Sequence, residues 1–176
     1  MTSSAPIYCL DANVLIQSWQ KYYAPEICPD YWDILDTLGK HGRIFIPEEV
    51  KNEIVVSEKL EKTEDDLSKW LKRSSIPVHK TTESVISCWQ KILNANPLHK
   101  LLVDSAKGRS LADPWVIAHA LDKNAIVVTK ESPIISLNAK KPVTIPNVCN
   151  NMGVRWIDDF TFVKEIGMKF SCKLSQ

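Results

Sequence analysis

Short apolar runs alternate along this chain with longer segments whose apolar residues recur at helical spacing, and this alternation constrains the fold most strongly. Such a pattern is typical of chains in which parallel strands are joined by crossover helices. Runs such as AIVV carry no polar residue for either face of a sheet, as expected of inner strands buried on both sides. The pattern therefore predicts an α/β layer fold.

The boundaries of the predicted elements follow from these runs and from the helix-start signals. Pro47 suits the first turn of a helix, and Ser110 with Asp113 has the S-x-x-D spacing of a capping box, with Pro114 still in the first turn. Strands are predicted at residues 7–10, 43–46, 125–129 and 154–157, with weaker candidates at 76–78 and 143–145. Helices are predicted at residues 30–38, 47–60, 64–71, 83–93 and 110–121.

Length and charge limit the class of protein. A chain of 176 residues suits one compact domain, so residues 1–176 are predicted to form a single domain. The hydrophobic fraction of 44% and the charged fraction of 24% are those of an ordinary globular protein. The formal net charge of +1 excludes the strong overall positive field of a protein that coats nucleic acid. Any polyanion would have to bind locally.

The cysteines and the N-terminal segment bear on the cellular compartment. Five cysteines are scattered without a C-x-x-C pair, which argues against a zinc knuckle or a disulfide framework. No Lys or Arg precedes the first apolar run, and Asp11 interrupts it, which argues against a secretory signal. No window approaches the roughly 20 apolar residues that span a bilayer. We expect a cytoplasmic protein with free thiols and no membrane partner.

Four carboxylates lie at the end of a predicted strand or on the apolar stripe of a predicted helix, where a charge is unusual. They are Asp11, Glu53, Asp113 and Glu131. Asp11 and Glu131 follow predicted strands, and the carboxyl ends of parallel strands are where open α/β sheets bind ligands. Glu53 and Asp113 border the inward stripes of two predicted helices. Together, four such charges would repel one another, so the set makes sense with divalent cations bound.

The chemistry of this set points to phosphodiester hydrolysis. Oxygen ligands favour Mg²⁺ or Mn²⁺ over zinc. Two such ions about 3.5–4 Å apart generate hydroxide from water and stabilise the departing oxygen. Each acid alone more often has a structural role, such as helix cap, ion pair, turn residue or solvated strand end. The prediction therefore rests on the set.

The same segments resemble the acidic motifs of PIN-domain nucleases. DANVLI, EVKNEI, LADPWVIAHAL and IVVTKES occur in the family's order between residues 7 and 157. The resemblance implies a three-layer α/β/α sandwich with a central, mostly parallel β-sheet. It implies a Mg²⁺- or Mn²⁺-dependent endoribonuclease, a VapC-like toxin of a toxin-antitoxin pair. The four acids would be both metal ligands and catalytic residues, supported by Asn13 and Thr129.

Two departures from the family pattern concern the site. Glu131 stands where the family usually has Asp, and Ala12 stands where a hydroxyl residue is common. They motivate an alternative, a catalytically inactive PIN-like module that binds RNA or protein. A phosphatase with an aspartyl nucleophile is disfavoured, since Asn13 stands where the D-x-D that this chemistry needs has its second Asp.

The predicted partners are an RNA substrate, a cognate antitoxin and a second copy of the chain, the last two from the resemblance. Lys107, Arg109 and Lys130 flank the acidic motifs and are candidate phosphate contacts. The aromatic segment WQKYYAPEICPDYW, between Trp19 and Trp32, has four interpretations: stacking of unpaired bases, a lid, an antitoxin seat, or closure of the core.

Overall fold

The sheet at the centre of the fold consists of parallel strands. A computed structural model describes residues 5–61, 66–103, 111–135 and 143–171 of the chain. The strands are β1 (Tyr8–Leu10), β2 (Ile44–Pro47), β3 (Val78–His79), β4 (Ile126–Val128) and β5 (Trp156–Ile157). Their order is β3-β2-β1-β4-β5, and every neighbouring pair is parallel. The chain thus adds β2 and β3 on one side of β1, and then crosses over to add β4 and β5 on the other side.

This order creates a switch point between β1 and β4. In open α/β sheets the crevice outside the carboxyl ends of the strands at such a point is the usual ligand site. The carboxyl ends of β1 and β4 are aligned, because Leu10 is in register with Val128. The topology therefore directs attention to the residues that follow these two strands.

Eight α-helices connect or flank the strands within the described ranges. They are α1 (Ala12–Gln17), α2 (Pro29–Lys40), α3 (Glu48–Glu61), α4 (Asp66–Arg73), α5 (Glu83–Ala95), α6 (Asp113–Lys123), α7 (Ile145–Met152) and α8 (Asp159–Glu165). A π-helical turn follows α1 at Ser18–Tyr22, and a 3₁₀ segment follows α5 at Pro97–Leu102. No helix of the described ranges is long and apolar enough to cross a membrane.

Helices cover both faces of the sheet. The ring of Tyr8 meets Phe162 of α8 edge-on, with centroids 5.0 Å apart, while the neighbouring Cys9 thiol donates to the Val116 carbonyl of α6 at 3.6 Å. Consecutive strand residues point to opposite faces, and every residue of β1, β2 and β4 is buried. The predicted three-layer α/β/α architecture is confirmed.

Three of the predicted elements differ from the observed ones. The weaker strand at residues 143–145 is wrong, because Thr144 is the N-cap of α7 and forms a capping box with Asn147. Pro47 ends β2 instead of opening α3. Helix α6 begins at Asp113 with Ala112 as its N-cap, so Asp113 is the first helical residue and not the third, as a capping box from Ser110 would require. Ser110 lies outside the described residues. Helices α1, α7 and α8 were not predicted.

Candidate active site

Asp11 and Thr129 meet at the carboxyl ends of β1 and β4. The backbone N–H of Asp11 donates to the Val128 carbonyl at 3.0 Å and so extends the pairing of the strands by one step. Thr129 Oγ1 donates to Asp11 Oδ2 at 2.9 Å. Both residues are buried, with 1% of Asp11 exposed. The strand register therefore brings together two residues that are 118 positions apart.

The second oxygen of Asp11 has no such partner. Oδ1 is buried and accepts no hydrogen bond from the described residues. Burial raises the pKa of Asp11 to about 7 against the effect of the Thr129 hydrogen bond, and the charges of Glu131 and Glu53 raise it further. A buried polar atom without a partner costs about 1–3 kcal/mol. A cation against Oδ1 would remove that cost and favour the ionised carboxylate.

Glu53 comes to the same region from α3. Its side chain is half-buried, and Oε2 is buried without a partner among the described residues. Burial raises the pKa of Glu53, a hydrogen bond from the backbone N–H of Ala112 lowers it, and the charge of Glu131 raises it again. The Ala112 bond attaches Glu53 to the start of α6, where Asp113 is the next residue.

Asp113 opens α6 and is itself buried, with 4% exposed. A carboxylate in the first turn interacts favourably with the helix dipole. Its position beside Ala112 places it next to the contact that holds Glu53. A helix-start role and a site role are therefore compatible at this residue.

Glu131 is held by two backbone contacts. Its Oε2 accepts the N–H of Ile145, the first residue of α7, at 2.7 Å, and its own N–H donates to Thr129 Oγ1 at 3.2 Å. Burial raises the pKa of Glu131, and the Ile145 hydrogen bond lowers it. The Glu131 charge also adds to burial in raising the pKa of Cys149 to about 12. The carboxylate thus lies between the sheet edge and α7.

The charges of Glu131 and Glu53 raise the pKa of Asp11, and the charge of Glu131 also raises that of Glu53. Asp113 follows Ala112, whose N–H lowers the pKa of Glu53. Within the described ranges, no three His, Cys, Asp or Glu side chains form a ready-made metal-binding arrangement. The donor set nonetheless fits a hard divalent cation, because its ligands are carboxylate oxygens and two of them are buried without a partner from the described part of the chain.

Three other predicted residues lie elsewhere or outside the described ranges. Asn13 is the second residue of α1 and is half-buried two positions after Asp11. Lys107 and Arg109 lie outside the described residues. The roles assigned to these three residues stay predictions.

Comparison with known proteins identifies the family. The model of a family described as a domain of unknown function, DUF4411, matches residues 8–170. The chain belongs to the DUF4411 family. No curated protein matches it.

Solved structures identify the fold of this DUF4411 chain. It is similar to a chain of VapBC2 from Rickettsia felis, solved with a DNA fragment from their promoter, at a TM-score of 0.59 and 16% identity. That match covers 86% of this chain and 98% of the other. A chain of VapBC-1 from nontypeable Haemophilus influenzae matches at a TM-score of 0.51 and 18% identity, over 86% and 97% of the two chains. The predicted PIN-like, VapC-like fold is confirmed.

Lys130 of the DUF4411 chain has an internal partner. Its ammonium donates to Asp159 Oδ2 at the start of α8, and the side chains are 9% and 3% exposed. The ammonium lies 4.0 Å from the centroid of the Tyr22 ring and 5.3 Å from that of Phe160. A phosphate would have to compete with Asp159 for this charge, so the substrate contact of Lys130 stays a prediction.

The aromatic segment mainly closes the core of the DUF4411 chain. Trp32 meets Trp19 and Trp70 edge-on at centroid distances of 4.7 and 4.8 Å, and its indole N–H donates to the Tyr23 carbonyl at 2.7 Å. Tyr23 stacks on Tyr31 at 4.3 Å. These contacts support closure of the core, one of the four interpretations of the segment.

Sequence reasoning missed two groups that shape the site. Asp159 neutralises Lys130, and the Ile145 N–H holds Glu131. The start of α8 was recognisable from the adjacent acids Asp158 and Asp159, which are its N-cap and first residue. The long-range pairing of these groups has no local signal.

Proposed function

We propose that this DUF4411 protein is a divalent-metal-dependent endoribonuclease and the toxin of a toxin-antitoxin pair. The observation that carries the proposal concerns two buried carboxylate oxygens, Asp11 Oδ1 and Glu53 Oε2, beside the switch point of the sheet. Neither has a hydrogen-bond partner in the part of the chain that the structure describes. Unpaired buried carboxylates are costly, and ligation of cations is the common reason that such a cluster exists.

Asp11, Glu53, Asp113 and Glu131 would hold Mg²⁺ or Mn²⁺. The chemistry supplied by such ions is activation of the attacking water and stabilisation of the departing oxygen. The protein's own part is to keep the acids oriented and shielded from bulk water. Thr129 holds one oxygen of Asp11, the Ala112 N–H holds Glu53, and the Ile145 N–H holds Glu131.

The proposed partners follow from the substrate chemistry and from the structural neighbours. Lys107 and Arg109 precede α6 in sequence and are proposed phosphate contacts. Both structural neighbours are named as VapBC assemblies, which supports the proposal of an antitoxin encoded beside this chain. Co-purification of the adjacent gene product with this chain would support that partner, and failure of the two proteins to co-purify would count against it.

The test of the proposed activity is metal-dependent cleavage of RNA. Purified protein with Mn²⁺ should cut single-stranded RNA. Asp11→Asn should reduce the cleavage rate by about 1,000-fold, because it removes the charge of a metal ligand. That factor corresponds to an activation barrier higher by roughly 4 kcal/mol. Asp33→Asn, at an exposed carboxylate of α2, is the matched control and should leave the rate unchanged. Equal rates for wild type and Asp11→Asn would refute the site.

One observation favours a second candidate, an inactive PIN-like module that binds RNA or protein. Glu131 Oε2 already accepts the Ile145 N–H, so one oxygen of the residue that departs from the family pattern is engaged within the protein. Calorimetric titration separates the two candidates. No Mn²⁺ binding at millimolar concentration, with RNA binding intact, would favour the inactive module.

A further inference from the structure

The orientation of Glu131 depends on where α7 begins. Glutamate has one more rotatable bond than aspartate, so its carboxylate reaches a fixed point only when a further contact selects one rotamer. The Ile145 N–H at 2.7 Å from Oε2 is such a contact. Holding Oε2 restricts the rotamers of Glu131 and therefore the directions in which Oε1 can point.

The start of α7 is in turn set by Thr144 and Asn147. They form a capping box in which Thr144 is the N-cap and Asn147 the third helical residue. The Thr144 hydroxyl lies 2.6 Å from Asn147 Oδ1 and 3.1 Å from the Ser132 carbonyl. Because Ile145 lies between these two residues, the capping box determines the position of its N–H.

Asn147 also attaches the segment that carries Glu131. Its Oδ1 accepts the N–H of Ile134 at 3.1 Å, and its Nδ2 donates to the Ile134 carbonyl at 3.0 Å. Together with the Ser132 contact, these bonds join residues 131–135 to the first turn of α7. Glu131 is therefore fixed at its backbone by Thr129 and at its carboxylate by α7, and Asn147 holds both parts in one unit.

We propose that Asn147 is a positioning residue of the acidic site, which orients the Glu131 carboxylate through α7 and residues 131–135 without touching substrate or ion. The inference rests on the proposed function, since it assigns Glu131 to the metal site. It adds a residue that lies outside the four acidic motifs. Partners that orient metal ligands typically change metal affinity 10- to 100-fold when they are removed.

The experiment compares Asn147→Ala with Asn151→Ala, at an exposed position of the same helix. Asn147→Ala should weaken Mn²⁺ binding about 10-fold in calorimetric titration, and amide exchange of Ile145 should accelerate about 10-fold in the metal-free protein. Asn151→Ala should change neither value. Thr144→Val removes the hydroxyl with little change in shape and should act in the same direction, whereas Thr144→Ser should restore both values.

A double variant distinguishes action through Glu131 from general damage. If Asn147 acts through Glu131, then Asn147→Ala added to Glu131→Gln should lower Mn²⁺ affinity no further. Wild-type affinity in both Asn147→Ala and Thr144→Val, or an equal loss with and without Glu131→Gln, would overturn the inference. Failure of the proposed function has another signature: Asp11→Asn would bind Mn²⁺ as wild type does. The exchange rate of Ile145 still tests the link from Asn147 to α7 in that case.

Discussion

Lys130 and Glu131 are neighbours in sequence, but their charges lie in opposite environments. The Lys130 ammonium is paired with Asp159 and lies against the aromatic rings of Tyr22 and Phe160. Glu131 lies on the side of the acids, where Asp11 and Glu53 each keep one buried oxygen without a partner among the described residues. On one side of the carboxyl end of β4 the buried charges are paired, and on the other side negative charges are in excess.

The difference shows how a charge that stabilises the fold can be distinguished from a charge that belongs to a candidate binding site. A buried ion pair is self-contained, so removing one partner leaves an unpaired charge and destabilises the protein. A cluster of like charges is costly in the metal-free protein, so removing one member should relieve repulsion there. Opposite signs of the stability effect are therefore expected on the two sides of the same strand end.

The largest stability effect is expected on the paired side. Asp159→Asn should lower the free energy of unfolding by about 3 kcal/mol, because it leaves the Lys130 ammonium buried without a counterion. Urea denaturation at pH 7 measures the effect. A loss below about 0.5 kcal/mol, the usual range for surface positions, would contradict a buried pair.

A smaller effect of opposite sign is expected on the acidic side. Asp11→Asn should raise the free energy of unfolding of the metal-free protein at pH 8 by on the order of 2 kcal/mol, because the neutral amide avoids burial of a charge beside Glu131 and Glu53. Chelator-treated protein is compared in urea denaturation, with Asp33→Asn as the control. Destabilisation by Asp11→Asn would argue for a structural carboxylate.

The pH dependence of this effect follows from the sign of the shift. The pKa of Asp11 is about 7 in the folded protein against an ordinary value of 3.8, so its contribution to stability is fully present below about pH 4 and is lost as pH rises to 7. The lowered pKa values of the half-buried His79 and the buried His119 act oppositely, since their contribution is lost as pH falls. The difference between wild type and Asp11→Asn isolates the first contribution and should grow from pH 5 to pH 8.

The smallest effect is expected when the whole ion pair is replaced. Lys130→Met combined with Asp159→Leu should change the free energy of unfolding by less than about 1 kcal/mol, because desolvation of a buried pair offsets most of its attraction. RNA cleavage should persist in this variant if Lys130 is only structural. A selective rise in KM, with stability unchanged, would instead support the predicted phosphate contact.

The sequence by itself determined the layer class and the positions of most strands and helices, and it singled out four acids as a candidate site. Hydrophobic periodicity is a local property that a single segment carries in full. Helix α7 shows the limit of that reasoning, because the β-branched residues around Thr144 favoured a strand while its capping contact with Asn147 produced a helix. The four acids were predicted as a set because each lies at an element end or on an apolar stripe, and their role as metal ligands stays a prediction.

Only the tertiary structure decided which charged side chains lie near one another and which are paired with an opposite charge. Asp11 meets Thr129 across 118 positions, Lys130 meets Asp159 across 29, and Glu131 meets the start of α7 across 14. Such pairings depend on strand order and helix placement, which arise when distant segments pack together. The local sequence determines the sign of each charge, but the folded structure determines whether that charge has a counterion.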